Sequence, residues 1–585
     1  QTTSFVLRKS DIKEYKAKFL RLVDYRSQQE KESAFLSKNN LHTVMKENFS
    51  KIPGSPIAYW VNKRVIELFS EQRSLRDYGE PRHGMSTGNN DKCLKLWFEV
   101  DIDKIAFNCG SLFEFEATNR KFIPYRKGGE FRKWYGNNDY VIAYDKPSLD
   151  YMKVLSGYRS SSVSFFFRAS INWSDVSSSY FGVRYSYKGF AFDGRGSSMF
   201  CDKEYENYLL GVLASKFSKM VLDILNPTLT FNIENIASIP VIIKYTKIYT
   251  ISAIVEENVQ ISKCEWDSFE TSWDFQKQPL LNGASVKGAF ENWKKEALDR
   301  FTQLKSNEEE LNRIFIDIYG LQEELTPEVE EKDVTVRRAD LPKDMRSFIS
   351  YAVGCMFGRY SLDNEGLIYA GGQWSGSKYS TFIPDKDNIL PITDEEYFAD
   401  DIVGLFTTFV KTVYGVETLE DNLNFIANAL GNRGNSSRET IRNYFVKDFF
   451  KDHCKVYQNR PIYWLFDSGK ENGFKALIYM HRYDVNTIGN LRIDYLHKMQ
   501  RIYENEISRM QDNIENSKDI REVTVATKRK EKLIKQLKET KDYDEKIAHL
   551  ALARIAIDLD DGVKVNYEKI QTDAEGKKLN VLARI

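Results

Sequence analysis

The segment Lys127-Gly-Gly-Glu-Phe-Arg-Lys-Trp-Tyr-Gly-Asn-Asn-Asp139 puts three cations, three glycines, three aromatics and two amides into thirteen residues. Few folds need that mixture for packing alone. Glycines let a backbone come close to a ligand. Lys and Arg neutralise phosphates, and Asn offers a donor and an acceptor to a base edge. The surroundings agree: Arg120 to Arg195 carries 13 Lys+Arg against 6 Asp+Glu, a net +7, in a chain whose 585 residues balance at zero. The same stretch holds 19 aromatics. A basic, aromatic-rich block in a neutral chain is a local electrostatic footprint, and nucleic acid is the partner it fits best.

A chain of 585 residues is too long for one core. No apolar run approaches the roughly 18 residues of a membrane span, and no basic-apolar signal segment opens the chain. The six cysteines are scattered without a CxxC pair, as expected of reduced thiols in the cytoplasm rather than a disulfide frame or zinc knuckle. The histidines form no HExxH, and adjacent His453 and Cys454 diverge on a helix, so no metal site is expected. The chain opens on Gln, and Thr2–Arg8 reads like the last strand of something, so a longer parent polypeptide is expected.

Residues 11–50 read as helical, with Ser10-Asp11 as a cap and Tyr15, Phe19, Leu20, Leu22 and Val23 as an apolar stripe. From Leu75 to Ile242 short β-branched and aromatic runs alternate with Gly/Asn/Ser turns, the pattern of a strand-rich domain. One helix, Tyr205–Leu225, interrupts it and stops at Asn226-Pro227. Beyond Asp267 the texture is mostly helical, with candidates at 289–305, 308–319, 345–357, 394–414, 419–430 and 438–452. Two short strands follow at 461–466 and 475–479. From Ile488 to Leu552 a stripe of Leu496, Met499, Tyr503, Ile507, Met510 and Ile514 faces a second of Leu533, Leu537 and Ile547. A turn near 516–519 would fold these into an antiparallel helical hairpin. The fold class is α+β and multidomain: 1–50 a helical connector, 51–245 strand-rich, 246–480 mixed and mostly helical, 481–585 the hairpin and tail.

Gly84–Asn90, Asn172-Trp173-Ser174 and Gly194–Ser197 repeat the character of the opening segment. Each alone equally fits an ordinary turn, but loops spaced along one scaffold are where recognition residues collect. Lys127, Arg132, Lys133, Arg159 and Arg168 are candidates for phosphate contacts. Ser86, Thr87, Asn89, Asn90, Asn137, Asn138, Asn172 and Arg195 are candidates for base edges, and Trp134 for a wedge or a core position. Phe165–Phe167 reads as a buried strand before a stacking platform, Lys528–Lys532 as a solvated helix face, and Glu308–Glu310 as surface at a helix start.

Catalytic patterns are missing from the sequence. Asn226-Pro227 continues into Thr228-Leu229, so the Asn/Asp-Pro-Pro-Tyr/Phe that amino-methyltransferases use to grip an extruded base is absent. There is no glycine-rich cofactor loop and no GxxxxGK[ST]. Pro384-Asp385 lacks a following acid-x-Lys of a nuclease. The residues describe a nucleic-acid reader without a visible reactive centre, so no catalytic, cofactor or metal residue is assigned. A scaffold whose basic block binds an acidic protein is the competing class, and an enzyme with an unfamiliar site a third.

In order along nearly the whole chain, Ile52-Pro-Gly-Ser-Pro-Ile-Ala-Tyr-Trp60, Gly84–Asn90, Lys127–Tyr140, Asn226–Leu229 with Ile236–Pro240, Trp266–Trp273, Ser350–Leu362, Asp394–Phe398, Arg460–Gly469 and Asp558–Tyr567 resemble the later half of PglX, the adenine-specific DNA methyltransferase family of BREX phage-defence systems. The resemblance implies a cofactor domain and its Asn-Pro-Pro-Tyr upstream of Gln1, and a target-recognition domain at 51–245. It also implies a helical region that clasps DNA or docks partners. It implies S-adenosylmethionine as cofactor of the intact protein, none bound by this chain, and no methylation by this chain alone. The partners it implies are double-stranded DNA, other BREX proteins and phage-encoded DNA-mimic inhibitors, with no membrane.

Overall fold

A computed structural model describes residues 4–585 apart from 8, 10, 11, 13, 177–180 and 227. Ser10, Asp11 and Pro227, read above as helix-start and helix-stop signals, and Thr2, Thr3 and Arg8 of the opening strand lie outside the described residues. Ser4–Leu7 is not a strand.

Residues 11–50 are not the expected helix. Strand β1 (Lys16–Leu20) pairs antiparallel with β2 (Leu41–Met45), and helix α1 (Gln28–Leu36) lies between them. The helix starts late because Ser27 and Glu30 form a reciprocal capping box. Phe19 leaves any helical stripe to stack on Tyr59, with ring centroids 4.6 Å apart.

The strand-rich region holds β3 (Gly79–Arg82), β4 (Ser86–Thr87), β5 (Leu94–Leu96), β6 (Phe122–Arg126), β7 (Tyr140–Ala143), β8 (Tyr158–Arg159), β9 (Ser170–Trp173), β10 (Val183–Ser186), β11 (Ala191–Phe192) and β12 (Ser198–Cys201). One sheet runs β10-β9-β12-β3, all antiparallel. The other runs β11-β6-β7-β5, with β11 parallel to β6. Strand residues alternate between faces. In the second sheet Phe122, Val141 and Ala143 enter the large core of the helical region. Ile123, Tyr125, Ile142 and Tyr144 face a separate core with Phe166, Phe167, Phe192 and Phe200. Phe165–Phe167 is buried or half-buried as expected but is not a strand: Ser162 and Phe167 take positive φ, 56° and 66°, which closes a short turn.

The expected helix at 205–225 is two, α2 (Lys203–Ala214) and α3 (Lys216–Leu225), broken at extended Ser215. Two expected helices at 289–319 are one, α4 (Val286–Tyr319), capped by Ser285 and closed by Gly320 at φ 67°. Leu209, Leu213, Phe301, Leu304 and Phe315 pack with Ile171, Trp173, Val183 and Met199 of the first sheet. Further on, β13 (Leu390–Pro391), β14 (Tyr463–Asp467) and β15 (Lys475–Tyr479) form a sheet ordered β13-β15-β14.

The tail is the expected hairpin of α5 (His497–Asn516) and α6 (Ile520–Ala553), entered through a π-helical turn at Leu491–Leu496. Its seam residues Met499, Tyr503, Met510, Leu533 and Ile547 are buried. It packs back on the turn between β14 and β15: Tyr503 donates to the Gly473 carbonyl at 2.8 Å, and Glu539 accepts Ser468 Oγ at 2.7 Å and the Gly473 N–H at 3.0 Å. Lys528–Lys532 is not simply a solvated face. Arg529 reaches Asp394 at 2.8 Å and Tyr397 at 2.6 Å, and Lys532 joins the same Asp394 at 2.6 Å. No single helix among the described residues is long and apolar enough to cross a membrane. The architecture is α+β with several small sheets and a helical C-terminal region.

Candidate nucleic-acid interface

Three of the loops singled out by composition meet at one cleft. β4 pairs with β8, placing Ser86 opposite Arg159 and Thr87 opposite Tyr158. The Asp193–Arg195 turn is zipped to the same strand: Met85 N–H donates to the Phe192 carbonyl at 3.0 Å and Gly194 N–H to the Met85 carbonyl at 3.0 Å. Glycine is required at two points. A Cβ on Gly84 would lie 1.9 Å from the Phe192 carbonyl oxygen, and Gly88 sits at φ +75° against Leu155 and Tyr158. The cleft has a volume of about 560 Å³. It is lined by Ser86, Thr87, Gly88 and Asn90, with Gly157 against Gly88, and by Lys127 and Asp193–Arg195.

Four of the expected phosphate and base contacts are cations that remain uncommitted, two of them, Lys127 and Arg195, in the cleft lining. Among the described residues Lys127, Arg159, Arg168 and Arg195 have no acidic partner. Lys127 Nζ lies 4.9 Å from the Tyr140 ring centroid, and the Arg168 guanidinium lies 5.1 Å from that of Phe165. Asp193, by contrast, is engaged. Its Oδ1 accepts the Arg195 N–H at 2.8 Å and its Oδ2 the Tyr125 hydroxyl at 2.9 Å. Burial and that carboxylate push the Tyr125 hydroxyl well above its ordinary range.

The remaining expected contacts are turned inward. Arg132 is not a free phosphate ligand: it pairs with Glu265, donates to the Tyr135 carbonyl at 2.7 Å and lies over Trp266. Lys133 is buried against Glu308, whose other oxygen accepts Trp134 Nε1 at 2.7 Å. Trp134 is therefore a core residue and not a wedge, and Glu308 is not at a helix start but deep within α4. Asn137, Asn138 and Asn172 are buried too. Asn137 donates to the Glu130 carbonyl at 2.9 Å, Asn138 accepts from Arg126, and Asn172 accepts Arg184 Nε at 3.2 Å while donating to the Arg184 carbonyl at 3.1 Å. A base edge cannot reach amides so enclosed. Thr87 is buried and donates to Asn90, and Asn89 caps the short helix Asn90–Cys93 and donates to Tyr151.

The basic count thus divides into a solvent-facing set and an internal lattice. Burial, and then the neighbouring guanidiniums of Arg126 and Arg132, push Arg184 down to about 9, and burial pushes Asp139 up to about 6. Composition did not single out Tyr125, Arg126, Gly157, Arg184 or Asp193. The Asp-Gly-Arg turn at 193–195 was the available signal for the last.

The α+β scaffold gathers glycine-bearing loops and cations without an acidic partner at one cleft. No family model matches the chain. It is 45% identical over 602 aligned residues to an adenine-specific methyltransferase, PglX, of Lacticaseibacillus casei (strain Zhang), covering 98% of this chain and 50% of the relative. To the adenine-specific methyltransferase BrxX of Escherichia coli O9:H4 (strain HS) it is 35% identical over 605, covering 97% and 49%. The chain belongs to this PglX-like family. It spans about half the length of the curated relatives it matches.

Proposed function

We propose that the chain is the target-recognition and C-terminal region of a site-specific, S-adenosylmethionine-dependent N6-adenine DNA methyltransferase acting in BREX phage defence in the cytoplasm. The carrying observation is the unpaired cations on converging loops: Lys127 and Arg195 in the cleft, and Arg159 on the strand paired with its Ser86 wall. Duplex DNA supplies the density of negative charge that such an arrangement lacks internally. In this reading residues 51–245 hold the duplex, and Lys127, Arg159 and Arg168 contact phosphates. The helical region and hairpin stiffen the clasp, offering surface to other BREX proteins, and a DNA-mimic inhibitor of phage origin would occupy the same cleft. Adenine extrusion and methyl transfer belong to a cofactor domain of the longer protein.

The test is competition. The chain should prefer a duplex carrying its site over a scrambled one by much more than about tenfold, since each wrong base pair costs about 1–3 kcal/mol. Equal displacement by scrambled duplex and by a polyglutamate of similar charge would instead mark a scaffold that binds an acidic protein.

A further inference from the structure

We propose that the cleft reads a guanine in the major groove, with the Arg195 guanidinium on its O6 and N7 and the Asn90 amide nitrogen on a neighbouring acceptor. This rests on the reading of the chain as a duplex-DNA reader and deepens it. The Thr87 hydroxyl accepts the Asn89 N–H at 3.1 Å, and its own proton goes to Asn90 Oδ1 at 2.6 Å. That fixes the amide so that Nδ2, with its two N–H groups, is the end left for a ligand. Each oxygen of Asp193, the acid of this cleft, accepts a hydrogen bond from within the protein. Lys127 and Arg195 can only donate. The cationic and amide groups turned to the ligand are therefore donors, the Ser86 hydroxyl can serve either way, and the matching base edge is one that presents acceptors. In the major groove guanine shows two acceptors side by side, and cytosine and adenine each place an amino group there.

Phosphate oxygens are acceptors too, and the backbone separates the two. Both backbone groups of Arg195 are held: its N–H donates to Asp193 and its carbonyl accepts the Asp175 N–H at 3.0 Å. A fixed root suits a directional, two-pronged contact. Gly88, Gly157 and Gly194 put no side chain into the cleft, which leaves room for a base edge beside Arg195.

The experiment selects binding sites from a random 30-base-pair duplex pool, using the 585-residue chain and its Arg195→Ala variant. Arg195 is exposed, and unchanged melting temperature checks that the variant is folded. The wild type should enrich a motif with an invariant guanine. Replacing that guanine by 7-deazaguanine, which lacks the N7 acceptor, should weaken wild-type binding by about 10- to 100-fold. The same replacement should leave Arg195→Ala binding nearly unchanged, and the variant's own selected motif should lose that guanine. The proposal fails if Arg195→Ala selects the same motif, weakens all duplexes alike and lowers the log–log salt slope by about one, the mark of a phosphate contact. In that case the DNA reading stands. Absence of any duplex binding overturns that reading and this inference together.

Discussion

At Glu308 two donors from adjacent residues converge on one carboxylate, Lys133 on one oxygen and Trp134 on the other. Removing one partner of a buried pair strands the other charge, which costs about 3–5 kcal/mol. Glu308→Ala should lose about that much in urea unfolding. Lys133→Met combined with Glu308→Gln removes both charges while keeping an acceptor for the indole, and should cost under about 1.5 kcal/mol. Equal losses for the two would discard the ion-pair account. Neither change should alter the salt dependence of DNA binding, because Lys133 does not face solvent. Glu308 was legible in principle. It falls at helical spacing with Phe301, Leu304, Leu311 and Phe315, all buried, but a run of three acids disguised it as surface. Its partner was not legible, since 175 positions separate the two.

Among the elements, the hairpin follows from local pattern alone, because its stripe needs only neighbours three and four apart. Met510→Asp should put an unpaired charge into the seam and destabilise by about 2–4 kcal/mol. Asp512→Ala, on the exposed face, should cost under about 0.5 kcal/mol. Equal melting temperatures would mean the seam is open. The N-terminal strand pair is hidden in the sequence because an apolar stripe at helical spacing precedes the Ser27–Glu30 cap, where the helix in fact starts. The cleft was partly legible: loop composition located Ser86–Asn90, Lys127 and Arg195. It could not tell them from Arg132 or Asn172, whose burial depends on Glu265 and Arg184. The hairpin's root carries a proton-linked contact. The Tyr495 hydroxyl in the π-helical turn lies 2.8 and 2.5 Å from carboxylate oxygens of Asp387 and Asp400, its one proton shared between them. Burial and Asp387 push neighbouring Asp385 from 3.8 up to about 7. The folded chain then binds a proton that the unfolded chain has released, so stability falls as pH rises from about 4 to 7. Asp385→Asn should melt with the wild type near pH 4 and above it at pH 8, by at least about 1 kcal/mol. Parallel pH profiles would show that Asp385 titrates normally.

Across the whole molecule, the strand-rich region and the C-terminal tail are bolted together. Asp560 accepts Lys104 at 2.9 Å and Lys121 at 3.0 Å, and Glu99 accepts the Val563 N–H at 2.9 Å. Asp560→Ala should cost only about 1–2 kcal/mol, because the two ammonium groups are 42% and 33% exposed. Amide exchange should nevertheless quicken together at 94–126 and 558–570, and quickening confined to the tail would separate the two segments energetically. The sheet containing β6 and β7 has a wider consequence. One of its faces is completed by helices hundreds of residues away in sequence, so the strand-rich region cannot be lifted out as a cartridge. Transplanting 51–245 whole between relatives would leave Phe122, Val141 and Ala143 facing foreign helices. On the proposed reading, a change of specificity would come from rewriting the loops at 86–90, 157–159 and 193–195 over a scaffold kept intact.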